Sequence, residues 1–141
     1  MRSIIFAILA SFMWGTAPVL FKLGLRGEVH PISALVFHNL SAFSLALVIT
    51  IVMGMKLNYP FREVMLIMAG GIMSGFLGLF FFFEAVKRGE VSVVAPIAST
   101  SPIWGALIAF LLLGEPFSWL RAFGILLVVC GIVLISLSSG K

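Results

Sequence analysis

Residues 91–113 read VSVVAPIASTSPIWGALIAFLLL, and Gly114-Glu115-Pro116 closes the stretch. No residue in it is charged. A membrane-spanning helix needs roughly 20 mostly apolar residues to cross about 30 Å of hydrocarbon, so this stretch is long enough by itself. In lipid every backbone N–H and C=O must find a partner within the protein, which favours helices. A barrel would need alternating apolar and polar residues, and that pattern is absent. The closing triplet is a helix stop. Glycine suits the position after the last turn, and proline cannot continue the helix.

The same pattern repeats outward from this stretch. Downstream lies Leu120–Leu137, with Arg121 near its start. Upstream lie Val64–Val86, Ile32–Met55 and Ile4–Phe21, bounded by Arg62-Glu63, Lys87-Arg88, His30-Pro31, Lys56 and Lys22. The reading is an all-α membrane protein of five transmembrane helices, at about 4–22, 32–55, 64–86, 91–113 and 120–137. Residues 1–141 form a single domain in this reading. Connections are short, so consecutive helices run antiparallel. Pro31 suits a first helical turn, and Tyr59 and Trp119 suit the aromatic belt at the headgroups. The first run is read as a span rather than a signal peptide, because it is long and Ala17-Pro18 is a poor cleavage site.

Composition agrees. The chain is 62% hydrophobic and 10% charged, with a mean hydropathy of +1.24. Soluble proteins average about 25% charged residues, so a soluble enzyme, a disordered chain and a nucleic-acid binder are excluded. The net charge of +4 does not point to nucleic acid, because the basic residues sit singly or in pairs between apolar runs. They read as loop charges that orient the helices. Cys130 stands alone within an apolar run. With no aspartate, no histidine pair at metal-ligand spacing and no base near Cys130, no enzyme, cofactor or metal signature is present.

Five spans put the termini on opposite sides. One side then carries Arg2, Lys56, Arg62 and Arg121; the other carries Lys22, Arg26, Lys87, Arg88 and Lys141. Orientation follows from asymmetry in such charges, and here it is nearly balanced. Dual insertion and an antiparallel homodimer follow as one expectation. A fixed orientation set by finer detail is the other.

Polar residues inside spans carry the functional expectations. Pro96 and Pro102 flank Ser99-Thr100-Ser101, and each proline removes a backbone donor. The freed carbonyls either face a substrate, as in the broken helices of transporters, or belong to a kinked helix whose hydroxyls bond back to their own turn. Counted from the span ends, Trp14, Ser99, Ser101 and Trp104 fall near mid-membrane. They are the candidate substrate-binding residues, with His38 and Asn39 at the rim. His38 and Glu84 are the ionisable residues inside spans and hence candidates for coupling. Against that role, Glu84 precedes Arg88 by four residues, the spacing of a helix-surface pair. Gly70, Gly71, Ser74, Gly75 and Gly78 form small faces suited to close helix packing. Gly124 and Gly131 do the same in the last span, where they are expected to form a dimer contact.

These residues resemble a known family. The string EAVKRGEVSVVAPIASTSPIWGALIAFLLLGEPFSWLRAFGILLVVCGIVLI is similar to the second half of an EamA domain of the drug/metabolite transporter superfamily. FAILASFMWGTAPVLFKLG resembles that domain's first span. The resemblance implies a half-size, five-helix transporter of the cytoplasmic membrane. Such a protein moves a small metabolite or drug by alternating access, as a dimer. In the related small multidrug resistance proteins a first-helix glutamate couples protons to drug export; Phe12 stands at that place here, so that coupling does not carry over. Where many EamA domains have an arginine early in the second helix, this chain has His38. A non-transporting accessory subunit and a subunit of a lipid-linked sugar flippase are the alternatives.

Overall fold

The structure, a computed structural model, describes residues 2–138. Seven α-helices follow in order: α1 Arg2–Leu25, α2 Pro31–Val52, α3 Phe61–Gly71, α4 Leu79–Arg88, α5 Val91–Ala98, α6 Ser101–Leu113 and α7 Trp119–Ser138. A π-helical segment, Ile72–Gly78, joins α3 to α4. Among the described residues there is no strand, and five helices are long and apolar enough to cross a membrane. The third of these runs unbroken over Phe61–Arg88 and the fourth covers Val91–Leu113.

Local chemistry sets the ends. At α2 the His30 ring nitrogen Nδ1 accepts from the Ile32 N–H at 3.3 Å, and Pro31 occupies the first turn where no donor is needed. The apolar run read to Met55 leaves the helix at Val52, because Gly54 turns the chain at φ 61°. Gly114 closes α6 in the left-handed conformation, at φ 65°, where a residue with a Cβ is strained.

The chain divides into two compact units. One is Val19–Arg88. In it α2 packs on α4 and on the π segment, around buried Leu25, Pro31, Leu35, Phe83 and Val86. The Lys22 ammonium donates to the Val86 carbonyl at 2.7 Å and to the Lys87 carbonyl at 3.4 Å. A cation there meets the negative end of the α4 dipole and satisfies carbonyls that the helix leaves unpaired. The Lys87 ammonium in turn donates to the Val29 carbonyl at 2.9 Å, tying down the turn between α1 and α2.

The other unit comprises the stretch up to Pro18 and the stretch from Gly89 onward. Here α5 packs against α7, with Ile132 buried. Most large apolar side chains of both units remain exposed, Leu112 and Phe61 among them. Exposure on that scale would be untenable in water. It is ordinary where the surrounding solvent is lipid.

Candidate functional site

The fourth span is broken where two prolines and three hydroxyls converge. Helix α5 ends at Ala98, a turn at Ser99-Thr100 follows, and α6 starts at Ser101. Proline has no N–H, so Pro96 and Pro102 withdraw the donors that a continuous helix would supply to the carbonyls of Ser92 and Ala98. The hydroxyls take the local alternative: Ser99 Oγ donates to the Ala95 carbonyl at 2.8 Å, and Thr100 Oγ1 donates to the Ile97 carbonyl at 2.9 Å. Their protons are thus spent within the turn, while their oxygen lone pairs stay available as acceptors.

Ser99, Thr100 and Pro102 line a cavity of about 450 Å³ whose opposite wall is α7 at Gly124, Ile125 and Val128. Ser101 and Trp104 do not line it; both are exposed, Trp104 to 62%. Ser99 lies in the turn and Ser101 opens α6, and of the two only Ser99 lines the cavity. Thr100 was not singled out in the sequence, although it sits between the two serines. Its role follows from the turn, which opens the chain where a helix was read. In α1, Trp14 is 78% exposed, and the nearby Thr16 hydroxyl donates back to the carbonyls of Phe12 and Met13 at 3.1 and 3.0 Å. Pro18 withdraws the donor that the Trp14 carbonyl would otherwise use.

In the Val19–Arg88 unit, His38 stands half-buried among aromatic rings. Phe21 and Phe83 meet the imidazole edge-on, with ring centroids at 5.6 and 6.1 Å, and Phe21 also stacks at a tilt on Phe83 at 4.8 Å. The imidazole Nδ1 is buried without a hydrogen-bond partner. Glu84 is engaged elsewhere. Its Oε2 accepts from Arg88 Nη2 at 2.7 Å and from Arg88 Nε at 3.1 Å. The histidine and the carboxylate are therefore not partners here, and Glu84 adopts the helix-surface pairing that its spacing allows.

Asn39 links two spans. Its Nδ2 donates to the Leu35 carbonyl of its own helix and to the Gly75 carbonyl of the π segment, both at 3.0 Å. The approach is close enough that a Cβ on Gly75 would lie 3.2 Å from Asn39 Oδ1. Gly70 and Gly71 have open space beside them, so of the glycines read as a packing face, Gly75 is the one that meets α2. The π turn itself gave no sequence signal beyond its glycines. Among the described residues no group of three His, Cys, Asp or Glu side chains gathers as a metal site would require.

A model of the EamA-like transporter family matches residues 1–137. A probable transport protein of Saccharomyces cerevisiae is 43% identical over 65 residues, which cover 46% of this chain. The match spans only 18% of the yeast protein's length. No solved structure matches.

Proposed function

Since the chain belongs to the EamA-like transporter family and is a multi-pass membrane protein, we propose that it is a transporter subunit. In this reading it moves a small metabolite or drug across the cytoplasmic membrane by alternating access. The observation that carries the reading is the broken fourth span. Interrupted helices at mid-membrane are where carriers expose backbone carbonyls and hydroxyls to substrate. Ser99 and Thr100 stand at the interruption and line a cavity. Because their protons are committed to Ala95 and Ile97, the turn offers acceptors, and its preferred substrates carry N–H or O–H donors. Trp14, Ser101 and Trp104 lie at the same depth by count and complete the candidate substrate-binding set of the unit they share with Ser99 and Thr100; His38 and Asn39 are candidates of the Val19–Arg88 unit. His38 is the candidate coupling group, with its Nδ1 unpaired; Glu84 is the weaker one, being held by Arg88.

The functional unit in this proposal is an antiparallel homodimer, supported by the four-to-five balance of basic residues and by the odd number of spans. Tagging both ends and assaying their sidedness in cells tests it, since a single sidedness for every copy excludes it. For transport, a panel of small metabolites and cationic dyes is screened by thermal shift on purified protein. Counterflow of the stabilising compounds is then measured in proteoliposomes. The expected result is saturable counterflow that Ser99→Ala with Thr100→Val weakens. A protein that binds no compound and moves none would favour the accessory-subunit alternative.

A further inference from the structure

A second cavity, of about 270 Å³, lies beside the loop that joins α6 to α7. It shares Ile103, Ala106, Arg121 and Ile125 with the cavity that ends at Ser99-Thr100. The two are therefore parts of one groove running between α6 and α7, from the loop toward mid-span. Between the mouth and the hydroxyls of Ser99 and Thr100 its wall is apolar, and the mouth itself is charged. At the mouth Glu115 Oε2 stands 3.7 Å from Arg121 Nη1, beyond hydrogen-bond length, so each group keeps capacity for another partner. Phe117 stands edge-on to both Phe110 and Trp119, with ring centroids at 6.0 and 5.0 Å. Trp119 suits the headgroup level of a bilayer, where tryptophan and tyrosine gather.

We propose that this groove binds one zwitterionic membrane phospholipid. Its phosphate sits on the Arg121 guanidinium, its ammonium on the Glu115 carboxylate, and one acyl chain lies along Ile103, Ala106 and Ile125. Three features carry the assignment. An apolar channel that opens at headgroup depth matches a lipid's division into tail and head. From Arg121 to Val128, seven residues along α7, the groove extends about 10 Å, enough for the upper part of an acyl chain. The charge pair selects the headgroup. An anionic lipid would set its phosphate against Glu115 as well as Arg121, whereas a zwitterion satisfies both. Arg121 borders both cavities, as a side chain does when its aliphatic stem lies along an apolar wall and its head reaches the interface. The site depends on the membrane location of the chain; its inner part is the cavity that Ser99 and Thr100 line, so bound lipid and a transported substrate would compete there.

Native mass spectrometry of the purified full chain tests the proposal, with dioleoyl phosphatidylethanolamine and dioleoyl phosphatidylglycerol titrated separately in detergent. The wild type should retain phosphatidylethanolamine in preference. Glu115→Gln should lower that preference about fivefold, equivalent to about 1 kcal/mol. Arg121→Gln should reduce retention of both lipids, and Ala106→Phe, which fills the groove, should do the same without regard to headgroup. Equal retention of the two lipids by the wild type, unaltered by Arg121→Gln, would overturn the site and leave ordinary surface lipid. If Ala106→Phe instead reduces the dimer fraction and leaves lipid retention unchanged, a second copy covers the groove and the proposal fails.

Discussion

Asn39 and Gly75 allow a quantitative prediction, because one hydrogen bond and one close approach join the same two residues. The Asn39 carboxamide donates to the Gly75 carbonyl at 3.0 Å, and a Cβ at Gly75 would meet Asn39 Oδ1 at 3.2 Å. Replacing Asn39 by alanine removes the bond between spans and leaves the Gly75 carbonyl short of a partner. Hydrogen bonds between membrane helices are worth about 0.6 kcal/mol on average and up to about 1.7 kcal/mol, so Asn39→Ala should cost an amount in that range. Gly75→Ala should also cost stability, because the new methyl pushes the carboxamide away by a few tenths of an ångström and stretches the same bond. In the Asn39→Ala background there is neither bond nor crowding, so Gly75→Ala should then be neutral or slightly favourable. The two substitutions should thus be coupled by about 0.5–1.5 kcal/mol, above the scatter of about 0.3–0.5 kcal/mol expected for independent sites. Reversible unfolding of the four proteins in mixed detergent micelles measures the cycle. Strict additivity would refute the contact and, with it, the close approach of α2 to the π segment.

Three further outcomes are expected. Glu84→Gln should change stability by less than about 0.5 kcal/mol, because the Arg88 partner is 81% exposed and such pairs contribute little; complete loss of transport at unaltered stability would instead assign Glu84 a coupling role. His38→Phe should keep its place among Phe21 and Phe83 and preserve the thermal midpoint, while abolishing transport driven by a proton gradient; proton-driven transport at the wild-type rate excludes His38 as the coupling group. Gly131→Leu adds a large side chain where space beside the helix is open, so the isolated chain should fold normally while the dimer fraction in detergent falls; an unchanged dimer mass would place the contact on another face.

Much of the fold was legible from composition and run length. The five spans, the stop at Gly114 and the start at Pro31 follow from hydropathy and from the chemistry of glycine and proline. The candidate site was legible only in part. Pro96 and Pro102 announced an interruption near Ser99, and the structure opens it at Ser99-Thr100, with the hydroxyls bonded back to their own turn. The four-residue spacing offered Arg88 as a partner for Glu84, and Arg88 holds it. Beyond its glycines nothing in the sequence signalled the π segment at Ile72–Gly78, and nothing showed that Asn39 would bond the Gly75 carbonyl or that Phe21 and Phe83 would flank His38.

The division has a physical cause. In lipid a backbone group has no water to turn to, so each span must close its own hydrogen bonds, and length and composition suffice to say where helices lie. Which face of a helix meets which neighbour is a different matter. Lipid tails are as apolar as leucine, so burying one more apolar side chain against protein gains little, and hydropathy does not encode the contact. The pairing of Asn39 with Gly75, the cation of Lys22 on the end of α4 and the groove beside Arg121 each depend on close packing and on polar groups finding partners at a distance in sequence. Those were decided by the tertiary structure alone.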